Sequence, residues 1–137
     1  MPTLDATRLK PLIEAAEAAR RNAYAPYSHF LVGAALLGAS GRYYVGCNVE
    51  NASYPVGCCA ERNAIGHAVV SGERHFDAVV VVTDTSRPTP PCGMCRQALS
   101  EFGDMLVVLA SPTGEVARYQ LFDLLPEHFG PDFLKGA

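Results

Sequence analysis

Two short cysteine clusters constrain this chain more than anything else in it: Cys58-Cys59-Ala60-Glu61-Arg62 and, further along, Pro90-Pro91-Cys92-Gly93-Met94-Cys95. A Cys-x-x-Cys pair joined by one distant Cys supplies the three protein ligands of a catalytic zinc site and leaves the fourth position to water. Glu61 stands two positions after Cys59, so if a helix begins there its carboxylate can reach the open position without becoming a ligand. Only Cys59 places Glu61 at that offset; Cys58 and Cys47 are therefore read as buried spectators, as free cysteines commonly are. Two other readings compete for the same residues. Cys92-x-x-Cys95 could be a redox pair, and Cys47 or Cys58 could join Cys59 in a closed structural zinc knot. A structural four-sulfur site would have no use for Glu61.

In this reading both clusters open helices. Free N–H groups and the helix dipole then favour thiolate at each. Three thiolates on one Zn²⁺ would leave a net negative centre that acidifies water poorly. Arg62, beside the ligand turn, could donate to the sulfurs and withdraw part of that charge. Glu61 would accept the water proton and deliver protons to substrate.

The rest of the composition narrows the partners. With 137 residues, 49% hydrophobic and 18% charged, the chain suits one globular domain over 1–137 that needs no disulfides. A formal net charge of −3 gives no basic face for nucleic acid, so a small substrate is expected and nucleic acid is not. Met1-Pro2-Thr3-Leu4-Asp5 lacks a basic segment followed by an apolar run, and no stretch reaches membrane-span length. The expectation is a cytoplasmic protein without membrane contact, where five cysteines, an odd count, serve as ligands or core residues.

Leu9, Leu12, Ile13 and Ala16 recur at helical spacing and predict a helix over 8–23, capped by Asp5 or Thr7 and tolerant of Pro11 near its first turn. Residues 30–37 and 42–49 around Gly38-Ala39-Ser40-Gly41 read as a β-hairpin. Asn48 to Pro55 is a polar loop leading to the first cysteines. A helix over 59–70 carries the motif in its first turn, with Gly72 marking its stop. Residues 78–83 are a β-branched, non-alternating strand buried on both faces, and 105–110 read as another buried strand. Between them lie a proline-rich loop over 85–91 and a helix from Cys92 or Gly93 through Phe102. An edge strand over 115–119 and a short helix from Leu121 to Leu125 follow. Helices alternating with strands after an initial hairpin argue for an α/β fold, a mixed sheet covered by helices on both faces.

Taken together, Tyr24-Ala25-Pro26-Tyr27-Ser28-His29-Phe30, Gly46-Cys47-Asn48-Val49-Glu50-Asn51-Ala52, Cys59-Ala60-Glu61-Arg62 and Pro91-Cys92-Gly93-Met94-Cys95-Arg96-Gln97 closely resemble the small zinc-dependent cytidine deaminases of the free-nucleoside type. The resemblance covers nearly the whole chain, to Leu124-Leu125-Pro126-Glu127-His128-Phe129. It implies a three-layer α/β/α sandwich with a five-stranded mixed sheet, and a homotetramer with sites at subunit junctions. It also implies one Zn²⁺ per chain on Cys59, Cys92 and Cys95, and Glu61 as proton shuttle. By the same likeness, Asn48 and Glu50 hold the ribose 3′-hydroxyl, Phe30 lies beside the pyrimidine, and Ala60 meets the base through its backbone. Ala52, Tyr54 and Phe129 reach a neighbour's site. Asn48 and Glu50 could instead be plain turn residues, and Phe30 and Phe129 ordinary packing. The chain departs from the family at Cys58, and at Asn63 where the family usually has Thr. The activity implied is hydrolytic deamination of cytidine and deoxycytidine. Set against it are deamination of another aminopyrimidine nucleoside, a nucleic-acid editing deaminase, which should bring a basic groove and typically a His ligand, and a non-enzymatic zinc module.

Overall fold

The computed structural model describes residues 4–114 and 116–135. Helix α1 spans Ala6–Arg21, and the Asp5 side chain caps it by accepting from Arg8 N at 2.9 Å. It starts two residues before the predicted boundary, so Pro11 falls past the first turn, yet the helix continues through it. Strands β1 (Val32–Gly38) and β2 (Tyr43–Cys47) form the expected antiparallel hairpin, its turn closed by Gly41 at φ 91°. Helix α2 (Ala60–Val70) is followed by β3 (Phe76–Thr83), α3 (Gly93–Ser100), β4 (Leu106–Ala110), β5 (Val116–Gln120) and the short α4 (Leu121–Leu124) and α5 (Asp132–Lys135). Glu115, expected to open the edge strand, lies outside the described residues. Helix α3 ends before Phe102, because the chain turns left-handed at Gly103 (φ 97°) and Phe102 folds back edge-on to Phe76, ring centroids 5.2 Å apart.

The five strands lie in the order β2-β1-β3-β4-β5; β3 and β4 are parallel and the other pairings antiparallel. Side chains alternate across a strand, and β3 from Ala78 to Val82 and β4 throughout are apolar, so each can bury two faces. Val79 and Val81 of β3 pack with Leu36, Val107 and Leu109 beneath Ala60, Ala64 and Ala68 of α2 and Leu99 of α3. Val80 and Val82 pack with Ala35 and Val108 beneath Leu9, Leu12 and Ala16 of α1. The result is the three-layer α/β/α arrangement with a mixed sheet. Each fully buried Val or Leu contributes about 1.5–3 kcal/mol relative to leaving it exposed.

Two glycines set how close the helices lie. A Cβ on Gly33 would fall 1.9 Å from the Ala16 carbonyl oxygen in α1. On Gly46 it would fall 2.4 Å from the Ala60 carbonyl oxygen and 2.5 Å from Ala64 N, so α2 rests directly on the β2 backbone. Backbone cannot step aside as a flexible side chain can. Gly46→Ala should therefore cost about 1–3 kcal/mol in urea unfolding and, by lifting the first turn of α2, weaken metal binding in a competition titration. Unchanged unfolding and metal affinity would contradict this packing account.

Candidate metal centre and active site

Cys59 is the N-cap of α2 and Cys92 the N-cap of α3, with Cys95 in the first turn of α3. The sulfurs of Cys59, Cys92 and Cys95 all lie within 4.8 Å of one another, and no other described Cys, His, Asp or Glu joins the group. Cys59 Sγ and Cys92 Sγ are 3.9 Å apart. Tetrahedral zinc with Zn–S bonds of about 2.3 Å requires sulfurs about 3.8 Å apart, which the Cys59–Cys92 pair matches, and the third sulfur lies close enough to complete the ligand set. Cys58 and Cys47 take no part, which removes the closed four-sulfur knot. Neither is fully buried as expected: both are only partly buried, Cys58 on the loop before α2 and Cys47 at the end of edge strand β2.

Arg62 answers the charge on the sulfurs. Its Nη2 donates to Cys59 Sγ at 3.7 Å, while its Nε is buried without a hydrogen-bond partner among the described residues. In the metal-free protein the Cys59 thiol falls to about 5, held there first by the hydrogen bond from Cys95, against the cost of burial, and then by Arg62 and Cys92. Cys95 moves the other way, pushed up by its bond to Cys59 and by burial. One sulfur is thus ionised and a neighbour keeps the shared proton until a cation displaces it.

Glu61, in the first turn of α2, is 4% exposed. Burial raises its carboxyl to about 7, and the negative Cys59 adds to the rise. It opens onto a cavity of about 220 Å³ that Phe30, Asn48, Cys59, Ala60 and Cys92 also line. This gathers six of the sequence-derived candidates in one place. Cys95 lies behind Cys92, and Arg62 faces an adjoining crevice with Tyr54, Glu50 and Cys58. Ala52 and Phe129 line neither space; both are exposed, with the Phe129 carbonyl held by Gln97 Nε2 at 2.7 Å.

Asn48 and Glu50 do local work as well. Asn48 Oδ1 accepts from Val32 N at 2.9 Å and its Nδ2 donates to the Phe30 carbonyl at 2.8 Å. Glu50 accepts from Tyr27 N at 3.0 Å, Ser28 N at 3.2 Å and the Ser28 hydroxyl, which holds its carboxyl below the usual range. The pair thereby fixes the 27–32 segment that carries Phe30. An amide and a carboxylate each keep bonding capacity beyond these contacts.

Several supports escaped the residue-by-residue reading. Arg96 donates through Nε to the Pro91 carbonyl at 2.9 Å and through Nη1 to the Leu124 carbonyl at 2.8 Å, tying the turn before Cys92 to α4. Asn63 Nδ2 donates to the Cys47 carbonyl at 2.8 Å and anchors α2 to β2. A cation beside a metal motif and an amide one turn into the motif helix were the signals available, and neither names its partner.

The raised carboxyl has a measurable consequence in metal-free protein. Unfolded Glu titrates near 4.3, so between there and about 7 the folded form holds the extra proton and stability falls as pH rises. Glu61→Gln removes that penalty. It should stabilise the metal-free chain near pH 8 by up to about 3 kcal/mol and change nothing near pH 4 in denaturant titrations; an equal effect at both would mean the carboxylate carries no burial cost.

Residues 7–111 match the family described as "Cytidine and deoxycytidylate deaminase zinc-binding region". A cytidine deaminase from Sporosarcina psychrophila is 45% identical over 131 residues, covering 94% of this chain and 96% of that protein. One from Halalkalibacterium halodurans is 47% identical over 120 residues, covering 86% and 91%. The crystal structure of cytidine deaminase from Burkholderia pseudomallei superposes with a TM-score of 0.84 at 50% identity, covering 88% of this chain and 98% of that one. Sequence, architecture and sulfur geometry agree, and the chain belongs to the cytidine and deoxycytidylate deaminase family.

Proposed function

We propose that this chain, acting as one catalytic unit over 1–137, hydrolyses cytidine and 2′-deoxycytidine to the corresponding uridines and ammonia. The observation that carries the reading is a buried carboxylate, Glu61, two residues from one sulfur of a zinc-shaped triad and open to the same cavity. The curated relatives named cytidine deaminase support the substrate class.

Cys59, Cys92 and Cys95 would hold the zinc, and Arg62 would draw charge from Cys59. When bound, zinc supplies Lewis-acid activation that brings the pKa of a coordinated water from 15.7 to about 7. Glu61 takes the proton from the attacking water and passes it to N3 of the base. As the water oxygen bonds to C4, Glu61 takes the remaining proton from the new C4 hydroxyl and hands it to the amine, so that the C4–N bond breaks, ammonia leaves and the C4 carbonyl remains. Its raised affinity for protons matches a group that must both accept and donate near neutrality. Burial of Glu61 keeps bulk water from competing for that proton. Phe30 packs beside the base and Ala60 offers backbone to it, while Asn48 and Glu50 grip the sugar hydroxyl from the segment they already brace. No Lys or Arg lines the Glu61 cavity among the described residues, which favours an uncharged nucleoside over its phosphate ester.

The functional unit in this reading is a homotetramer in the cytoplasm, with Ala52, Tyr54 and Phe129 turned toward a neighbour's site. Tyr54 (75% exposed), Phe129 (56%) and Phe133 (72%) are exposed, the last two stacked with centroids 5.5 Å apart. Exposed aromatics of this size are characteristic of surface covered in an assembly. No described helix is long and apolar enough to cross a membrane.

Zinc-replete protein should consume cytidine and deoxycytidine in an ultraviolet assay, releasing one ammonia per turnover. Glu61→Ala should lower kcat by about 10²–10⁴-fold or more with zinc retained, and Cys59→Ala should lose zinc itself. Full turnover in Glu61→Ala would end the shuttle role, and absence of turnover in the wild type would end the substrate reading. Sedimentation should show a four-chain species; a fully active monomer would rule the assembly out.

A further inference from the structure

The end of β3 and the loop from it to α3 carry three threonines that the chemistry above leaves idle. Thr83, the last residue of β3, is 2% exposed, and both it and Thr89 line the Glu61 cavity. Thr85 sits between them, its Oγ1 3.0 Å from Thr83 Oγ1 and 3.2 Å from Thr89 Oγ1. Thr85 Oγ1 also donates to the Arg87 carbonyl.

A threonine hydroxyl has one proton and two lone pairs. Thr85 spends its proton on Arg87, so towards Thr83 and Thr89 it can only accept. Each of those two must then donate to Thr85, and each has only lone pairs left for whatever fills the cavity. The other polar side chains on the wall are already assigned: Asn48 braces Phe30 and Val32, and Glu61 and the thiols belong to the reacting centre. The threonines come from β3 and from the loop running into Cys92, whereas Ala60 and Glu61 come from α2.

We propose that Thr85 is a positioning residue that locks Thr83 and Thr89 as acceptors, and that this pair reads the 4-position of the pyrimidine. Cytosine carries an amino group there, a donor that suits two acceptors. Uracil carries a carbonyl oxygen, which meets them lone pair to lone pair. The wall thus favours substrate over product and helps the site discharge what it makes. The inference rests on the reading that cytidine occupies this cavity.

The test compares zinc-loaded wild type with Thr85→Val, nearly the same shape without the hydroxyl, measuring KM for cytidine and Ki for uridine as a competitive inhibitor. With Thr85 removed, the Thr83 and Thr89 hydroxyls can turn and donate to the product carbonyl. The ratio of uridine Ki to cytidine KM should fall about fivefold, the scale of one hydrogen bond, and Thr85→Ser should restore it. If Thr85→Val does not fold, Thr83→Val carries the same test by deleting one acceptor, with the same direction expected. A ratio within twofold of wild type in a folded Thr85→Val or Thr83→Val protein overturns the inference. Wild-type protein without cytidine turnover would instead overturn the substrate reading, so the two failures are distinguishable.

Discussion

Everything at the functional end of this molecule depends on two helix N-termini meeting. Cys59 and Cys92 are caps of different helices, and their sulfurs come within 3.9 Å only because α2 and α3 lie on the same face of one sheet. Three thiols gathered in a confined space repel as anions and cannot all ionise without a cation. The protein meets this with helix dipoles, with Arg62, and with one proton retained on Cys95. Exchange of such protons for a divalent ion converts an electrostatic conflict into folding free energy.

The sheet supplies the rigidity that this convergence requires. Largely apolar central strands are sandwiched between α1 on one face and α2 with α3 on the other, and glycine at positions 33 and 46 brings helix backbone into contact with strand backbone. Glu61 emerges from that packing rather than from a loop. Its burial follows from its place in the first turn of α2, and the same burial moves its carboxyl toward neutrality. Fold and proton affinity are two results of one placement.

Much of this was legible in the residues. A β-branched run at 78–83 and an apolar one at 105–110 marked the buried strands, and the hairpin followed from turn residues between apolar segments. Cys59, Glu61, Cys92 and Cys95 could be picked out because metal chemistry demands fixed offsets within a helix turn. What was not legible depends on distance in space. Nothing local says that Glu50 accepts from Tyr27 and Ser28, or that Thr83, Thr85 and Thr89 share hydroxyls inside a segment that reads only as rigid. The 3-10 turn at Tyr54–Val56 and helix α5 were missed because each is too short to show periodicity. Cys47 and Cys58 were taken as interior because the residue type prefers it, but an edge strand and a pre-helical loop leave them only partly buried.

Arg96 joins parts of the chain that would otherwise be mechanically separate. One guanidinium grips the carbonyl just before Cys92 and another in α4, so the C-terminal segment is strapped to the turn that presents a metal ligand. Strain applied to the tail, by a fused tag or by a neighbour pulling on it, has a direct route to the ion's coordination sphere. For anyone altering that end of the polypeptide, the segment around Leu124 belongs with the metal chemistry and is not spare length.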